Sequence, residues 1–180
     1  SISSFFIGFI FGENSAGAGS AKGDFPLVWK NLQIFLNNDI MTALNFTNDI
    51  DSGYKSSRTP LLYILHAFLN PFTENQVLFL RSVFIISLTG PIIFYFCLKQ
   101  KFKGIDNLLL ILISSILFLS PYFRTSSFWG LEENFAIISL LLTFLFFHKF
   151  LFNNDDRKNN YLLFLTIFFS SLCLYFDQKF

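Results

Sequence analysis

The chain has 180 residues, of which 53% are hydrophobic and 20% aromatic, and its mean hydropathy is +0.52. Only 14% of the residues are charged, against about 25% in a typical soluble domain, and the formal net charge is +1. This composition excludes an ordinary soluble domain and gives no reason to expect a nucleic-acid partner. We interpret the chain as an all-α, polytopic membrane helix bundle in contact with membrane lipids. Abundant Phe, Asn, Lys and Ile suggest an AT-rich genome and hence the bacterial inner (plasma) membrane.

Apolar runs in chain order give the candidate spans. A spanning helix needs about 20 apolar residues, so we expect the first run to be the visible end of a longer span. A further run, 60–72, is apolar but short, and we expect a short or re-entrant helix there. The chain is interpreted as one partial transmembrane domain, the N-terminal piece of a larger protein. The candidate spans lie near residues 1–11, 77–98, 108–123, 135–152 and 161–176.

The polar segment 12–59 is too long to be a simple connector, and we interpret it as a large external loop. Apolar residues from Phe25 to Leu36 recur at helical spacing, which predicts an amphipathic helix over 25–36. Asp24 is predicted to cap this helix, with Pro26 in its first turn. Such a helix is typical of the membrane interface. Asp24 could have a chemical role at the membrane surface in addition to this cap; the alternative is that it caps the helix and has no other function.

The positions of the lysines predict how the chain is oriented in the membrane. Lys99, Lys101 and Lys103 lie between two apolar runs, and the positive-inside rule favours the cytoplasm for this turn. The loop 12–59 and the segment around 124–134 then both lie on the non-cytoplasmic side, provided that 60–72 does not cross. If 60–72 does cross, these two segments face opposite sides.

Local motifs for cofactors are absent from the sequence. The glycine-rich stretch 12–23 matches neither a Walker loop nor a dinucleotide fingerprint. Residues 48–53, "NDIDSG", resemble the start of a calcium loop, but Pro60 stands where the closing Glu is needed. His66 and His148 are isolated in apolar surroundings, where a packing role is the simpler reading. We therefore predict no cofactor and no metal ligands; a divalent metal stays open as an alternative, although no motif indicates one.

Charged residues gather instead at the ends of the apolar runs, and the spans are nearly charge-free apart from Arg81. Charges at helix ends are often solvated flanks, but carboxylates beside arginines at a membrane are costly and usually functional. In the predicted topology one membrane face carries Asp24, Arg58, Arg124, Glu132, Glu133 and Lys179.

The order of these elements resembles a known family. An acidic residue opens a long external loop, "YKSSRTPLLYILHAFLNPF" follows at 54–72, "LSPYFRTSSFWGLEEN" at 119–134, and the last run ends in "DQK". This is similar to the N-terminal half of the GT-C glycosyltransferases, and most of all to the protein mannosyltransferase and aminoarabinose transferase branch. Four features depart from that pattern: a lone Asp in "GDF", a single Pro in "SSRTPL", Arg58 where the family often has Lys or Glu, and Glu132 or Glu133 in place of the later Asp.

The resemblance implies an inverting transferase that moves a sugar from a polyprenyl-phosphate donor to an acceptor hydroxyl on the non-cytoplasmic side. Asp24 would be the general base. Glu133, with Glu132 as its alternative, would bind the acceptor or support the base. The donor's phosphate would be contacted by Arg58, Arg124 and Lys179. Tyr54, which opens the second element, and Glu13, a rival for the catalytic acid, complete the expected substrate-binding residues.

Two other classes stay open. A polytopic transporter would also have broken helices and charged helix ends, but its functional charges should lie within the spans, near the bilayer midplane. A non-catalytic membrane protein is the second alternative.

Overall fold

The structure is a computed structural model that describes residues 2–14, 21–48, 60–153 and 156–176. Within these ranges the chain is helical and contains no strand. The helices are α1 (Ile2–Ile10), α2 (Ala21–Asn37), α3 (Ile40–Asn48), α4 (Leu61–Leu69), α5 (Gln76–Ser87), α6 (Thr89–Lys101), α7 (Asn107–Ser114), the 3₁₀ helix η1 (Ser115–Leu119), α8 (Pro121–Trp129), α9 (Glu133–Leu151) and α10 (Asp156–Phe176).

Three helices of the described part are long and apolar enough to cross a membrane. The first, Gln76–Lys101, has 26 residues and joins α5 to α6, which at 1.5 Å per residue spans about 39 Å. The others are Glu133–Leu151 and Lys158–Phe176, each of 19 residues. The hydrophobic core of a bilayer is about 30 Å thick. The chain therefore has the helices of a membrane protein, and α9 and α10 form its most extensive helix pair.

A fourth apolar segment is broken. The helix from Asn107 to Leu119 and helix α8 meet at 65°, where the sequence predicted one uninterrupted run over 108–123. Pro121 explains the break, because proline lacks an N–H and forces the preceding residue into an extended conformation. Ser120 has φ −64° and ψ 117°, and its side chain accepts a hydrogen bond from the N–H of Phe123 at 3.4 Å.

The predicted helix over 25–36 lies within α2, but its predicted start was wrong. Helix α2 begins at Ala21, so Asp24 is in its first turn and is not the N-cap. Pro26 consequently lies inside the helix and removes one backbone hydrogen bond near its start. Helix α3 was not predicted. Asp39 caps it by accepting hydrogen bonds from the Thr42 N–H at 3.0 Å and hydroxyl at 2.6 Å, which lower the pKa of Asp39.

Two aromatic clusters hold the helices together. In the first, the Phe5 ring lies 4.7–5.9 Å from four other rings and joins α1 to α5, η1 and α8; these rings belong to Phe84, Phe118, Phe123 and Phe128. The second cluster surrounds Phe79 and joins α2, α4, α5 and α9. Gly90 allows the Phe123 ring to pack closely against α6, since a Cβ at this position would lie 3.2 Å from that ring; small residues serve in this way in helical membrane proteins.

The described helices meet at two opposite ends. At one, which we name the Trp129 end, the end of α8 lies beside the end of α1, since the Trp129 indole N–H donates to the Glu13 carbonyl at 2.9 Å. The start of α9 lies there beside the end of α10, with the Phe135 and Phe176 rings 5.7 Å apart. At the other, the lysine end, the Lys103 ammonium lies 5.4 Å above the Phe152 ring. The α6–α7 and α9–α10 turns are therefore neighbours.

Candidate functional site

An ion pair between Glu13 and Arg124 lies at the Trp129 end. The Arg124 side chain is 8% exposed and that of Glu13 is 35% exposed. The Arg124 Nε–H donates to Glu13 Oε1 at 2.9 Å, and Nη2 donates to Glu13 Oε2. This fork-to-fork geometry is the strongest arrangement available to an arginine and a carboxylate.

Every N–H of Arg124 has a protein acceptor. Besides the two bonds to Glu13, its guanidinium donates to the Ser4 carbonyl at 3.0 Å, the Ser4 hydroxyl at 3.3 Å and the Phe118 carbonyl at 2.9 Å. A guanidinium has five N–H donors, and all five are used here. The bond to Phe118 also satisfies a carbonyl next to the helix break at Ser120. Arg124 therefore has no N–H left for a phosphate oxygen.

Two neighbours fix this ion pair in place. A Cβ on Gly8 would collide with Glu13 Oε2 and with Arg124 Nη2, so only glycine leaves room for the pair. The Arg124 guanidinium also lies 5.5 Å from the Phe128 ring centre and 5.9 Å from that of Phe5, within the range of a cation–π interaction.

The other predicted carboxylates, Asp24, Glu132 and Glu133, lie at the same end of the molecule, in segments close to Trp129. Phe25, the residue after Asp24, lies 6.2 Å from the Trp129 ring, and the Lys22 ammonium lies 5.6 Å above it. Helix α9 begins four residues after Trp129 with Glu133, which is buried at 9% exposure, while Glu132 is partly buried. An acidic residue in the first turn of a helix interacts favourably with the helix dipole. Glu13, Asp24, Glu132 and Glu133 thus share the Trp129 end.

An apolar cavity of about 540 Å³ lies between α4 and α5 and reaches the start of α9 at Phe135. Two of its lining residues can donate hydrogen bonds to a ligand. Arg81 is exposed and makes no hydrogen bond or ion pair with any residue in the described ranges. His66 is buried, and its Nε2 has no hydrogen-bond partner there. The cavity thus combines apolar walls with two cationic or donor groups.

The protonation of His66 follows from its neighbours. Asn70 Nδ2 donates to His66 Nδ1 at 3.0 Å, which leaves the proton on Nε2, and it donates also to the Ser82 hydroxyl at 2.8 Å. The rings of Phe79 and Phe135 stand edge-on to the imidazole at 4.9 and 5.2 Å. Burial among these groups lowers the pKa of His66 to about 4. The imidazole is therefore neutral at pH 7 and offers one N–H.

The structure describes five of the eight residues predicted for the site and brings them to one end: Glu13, Asp24, Arg124, Glu132 and Glu133. Tyr54, Arg58 and Lys179 lie outside the described residues, as does the calcium-like stretch "NDIDSG" beyond Asn48. Sequence reasoning missed His66 and Arg81 as cavity residues. Arg81 carried a usable signal, since it is the one charge within the apolar run 77–98.

Among the described residues, no group of three or more His, Cys, Asp or Glu side chains is arranged to hold a metal ion. Comparison of the chain with protein-family models, with curated proteins and with solved structures gives no match.

Proposed function

We propose that the protein is a polytopic membrane glycosyltransferase that transfers a sugar from a polyprenyl-phosphate donor to an acceptor hydroxyl on the non-cytoplasmic side of a bacterial inner membrane. One observation carries the proposal: carboxylates from three separate segments lie at the same end of apolar helices, next to an apolar cavity whose arginine has no partner among the described residues. A lipid-linked sugar phosphate needs all of these features at the membrane surface.

The donor would lie in the cavity between α4 and α5. Its polyprenyl chain matches the apolar lining, and its phosphate would be met by Arg81 and by the Nε2–H of His66. Arg58 and Lys179, predicted from the sequence, would add further positive charge. Preorganised cations of this kind stabilise the negative charge that develops on a phosphate leaving group.

The acceptor would be activated by a carboxylate. The acceptor oxygen attacks the anomeric carbon, its proton passes to the carboxylate, and the bond to the phosphate oxygen breaks with release of polyprenyl phosphate. Asp24 is the proposed base because it lies in the first turn of α2, close to the Trp129 end, and is only partly buried. Glu133, or Glu132, would bind the acceptor or support the base. General base catalysis of this type contributes typically about 10²–10⁴-fold.

The sequence suggested that Arg124 contacts the donor's phosphate and that Glu13 binds substrate. The proposal gives both residues a structural role instead. Because every Arg124 N–H already has a protein acceptor, we assign the pair as positioning residues. Together they fix the segment after α1, whose Glu13 carbonyl accepts a hydrogen bond from Trp129. The first turn of α2 packs against the same Trp129 ring.

The test measures release of polyprenyl phosphate from a panel of polyprenyl-phosphate hexoses by the full-length protein in liposomes. Asp24→Asn removes the base and should lower the rate by about 10²-fold or more. Asp39→Asn is the matched control: it is also an aspartate of the first loop, and asparagine is as good an N-cap as aspartate. A near wild-type rate for Asp24→Asn would move the base to Glu133, tested by Glu133→Gln. If both variants are fully active, the transferase proposal fails.

A transporter is the second candidate, because the 65° break between η1 and α8 is typical of the discontinuous helices that bind transporter substrates. The two candidates differ in the fate of the donor. A transporter would move a labelled lipid or solute across the bilayer without cleaving it, whereas the transferase would release polyprenyl phosphate.

A further inference from the structure

A second cavity, of about 600 Å³, lies at the lysine end, opposite the candidate site. It is formed by the end of α6, the end of α9 and the start of α10. Its position between the ends of three apolar helices is where lipid headgroups meet a membrane protein. The lining residues are Gln100, Lys103, His148, Lys149, Phe152, Asn153, Lys158, Tyr161 and Leu162.

The lining of this cavity is cationic. Lys103, Lys149 and Lys158 contribute to it, and none of the described lining residues is acidic. Lys103 lies over the Phe152 ring at 5.4 Å and Lys149 over the Phe146 ring at 5.8 Å. Neither of these two lysines forms a salt bridge within the described ranges. Three ammonium groups around one cavity favour an anionic ligand.

Two polar atoms of the lining have no hydrogen bond to any residue that the structure describes. Gln100 Oε1 and His148 Nδ1 are buried and have no partner among the described residues. Leaving a buried polar atom without a hydrogen bond is unfavourable, and a ligand with hydroxyl groups would relieve that cost. The ligand that fits best carries a phosphate and neighbouring hydroxyls.

The surroundings indicate a lipid and not a soluble anion. Tyr161 is 63% exposed, and exposed tyrosines are typical of the headgroup level of a bilayer. The outer faces of α9 and α10 beside the cavity are apolar, with Phe147, Leu151 and Phe164 exposed. A headgroup in the cavity would leave its acyl chains along these faces.

We propose that this cavity binds the glycerol-phosphate headgroup of an anionic phospholipid. Lys103, Lys149 and Lys158 contact the phosphate, and Gln100 Oε1 and His148 Nδ1 bond to the headgroup hydroxyls. Basic pockets between membrane helices bind anionic headgroups in this way. The proposal is independent of the glycosyltransferase proposal, which concerns the other end of the molecule.

The test is native mass spectrometry of the detergent-purified protein titrated with phosphatidylglycerol or phosphatidylcholine. Phosphatidylglycerol should bind with a resolved stoichiometry and phosphatidylcholine more weakly. Lys103→Gln/Lys149→Gln should weaken phosphatidylglycerol binding by about 30-fold, at about 1 kcal/mol for each lysine. The matched control is Lys99→Gln/Lys101→Gln, which removes the same charge from the same end but from residues outside this cavity. It should change binding by less than about twofold, because both lysines are exposed outside the cavity and solvent ions screen their charge from the bound lipid.

Equal weakening by both double variants would overturn the proposal, since general positive charge would then explain the binding. Soluble glycerol phosphate provides the second arm: if it displaces phosphatidylglycerol at equal concentration, the site binds a free anion and the lipid assignment is wrong. If the Lys103→Gln/Lys149→Gln variant fails to fold, Lys103→Gln alone decides, because Lys103 is exposed in the α6–α7 turn. Unchanged binding in that single variant would count against the site.

Discussion

Glu13 and Arg124 are 111 positions apart in the chain, yet they form a two-pronged ion pair that joins the segment after α1 to helix α8. The pair is enclosed by Gly8 on one side and by the Phe5 and Phe128 rings on the other. Because the guanidinium is nearly buried, the Glu13 carboxylate offsets the cost of removing its charge from water. The ion pair therefore holds the Trp129 end together.

Glu13→Gln should destabilise the protein by about 2 kcal/mol. Removing one member of a buried ion pair costs about 3–5 kcal/mol, because the other charge is left unpaired, but Glu13 is 35% exposed and water screens part of the loss. The measurement is thermal unfolding in detergent. Glu74→Gln, an exposed glutamate between α4 and α5, is the control and should leave the melting temperature unchanged. Equal melting temperatures for the two variants would contradict this account of the pair.

Gly8→Ala should also destabilise, although alanine favours a helix over glycine by about 1 kcal/mol. The new Cβ would lie within 2.5 Å of both Glu13 Oε2 and Arg124 Nη2, so the ion pair would have to separate. Ser3→Ala, on an exposed position of the same helix, provides the comparison and should be neutral or slightly stabilising. In the Glu13→Gln background, Gly8→Ala should cost less than in the wild type, and full additivity would argue against a shared mechanism.

Acid should weaken the packing of α4. The pKa of His66 is lowered by burial to about 4 from its ordinary value of 6.5. Between these two pH values the imidazole is protonated in the unfolded chain and neutral in the folded chain. The contribution of neutral His66 to the free energy of unfolding is complete above pH 6.5 and is lost as the pH falls from 6.5 to about 4. Below that pH this group changes the free energy of unfolding no further. The loss is roughly 3 kcal/mol, since one pKa unit corresponds to about 1.4 kcal/mol. His66→Gln should flatten this part of a stability–pH curve measured in detergent; an unchanged curve would show that another group titrates.

The sequence predicted those features that depend on local pattern. The spacing of Phe25, Val28 and Leu32 gave the buried face of α2, and all three are buried. Hydropathy does not register backbone hydrogen bonding, so the run 108–123 concealed the break at Ser120. The start of α2 was misjudged because Asp24 has the chemistry of a cap, whereas tertiary packing buries Ala21 and extends the helix past it.

The candidate site was only partly readable from the sequence for a different reason. Ion pairing depends on which helix ends meet, and no local pattern states that Glu13 is the partner of Arg124. Arg124 was therefore predicted to contact a ligand, although its five N–H groups are taken by the protein. Arg81 is the converse case: an arginine within an apolar run is costly, and this alone marks it as a residue that warrants a functional explanation.

The two ends of the bundle should face opposite sides of the membrane, with the lysine end in the cytoplasm. In a background without Cys97 and Cys173, Lys22→Cys and Lys101→Cys are compared by labelling of intact cells with an impermeant thiol reagent. Both lysines are exposed. Lys22→Cys should be labelled from outside, and Lys101→Cys only after permeabilisation. Labelling of Lys101→Cys in intact cells would reverse the topology and move the proposed chemistry to the cytoplasm.

Arg81→Gln should weaken binding of polyprenyl phosphate by about tenfold or more, because a hydrogen bond to a charged group contributes about 1.5–3 kcal/mol. Arg81 is exposed on the cavity wall and forms no ion pair or hydrogen bond with the described residues, so its removal should leave the melting temperature nearly unchanged. Arg81→Lys keeps the charge and should recover part of the affinity. Lys99→Gln removes one positive charge from the opposite end and serves as the control. Binding is measured by native mass spectrometry with polyprenyl phosphate and with the uncharged polyprenol. If Arg81→Gln weakens both ligands equally, the arginine acts on cavity shape and the phosphate is bound elsewhere.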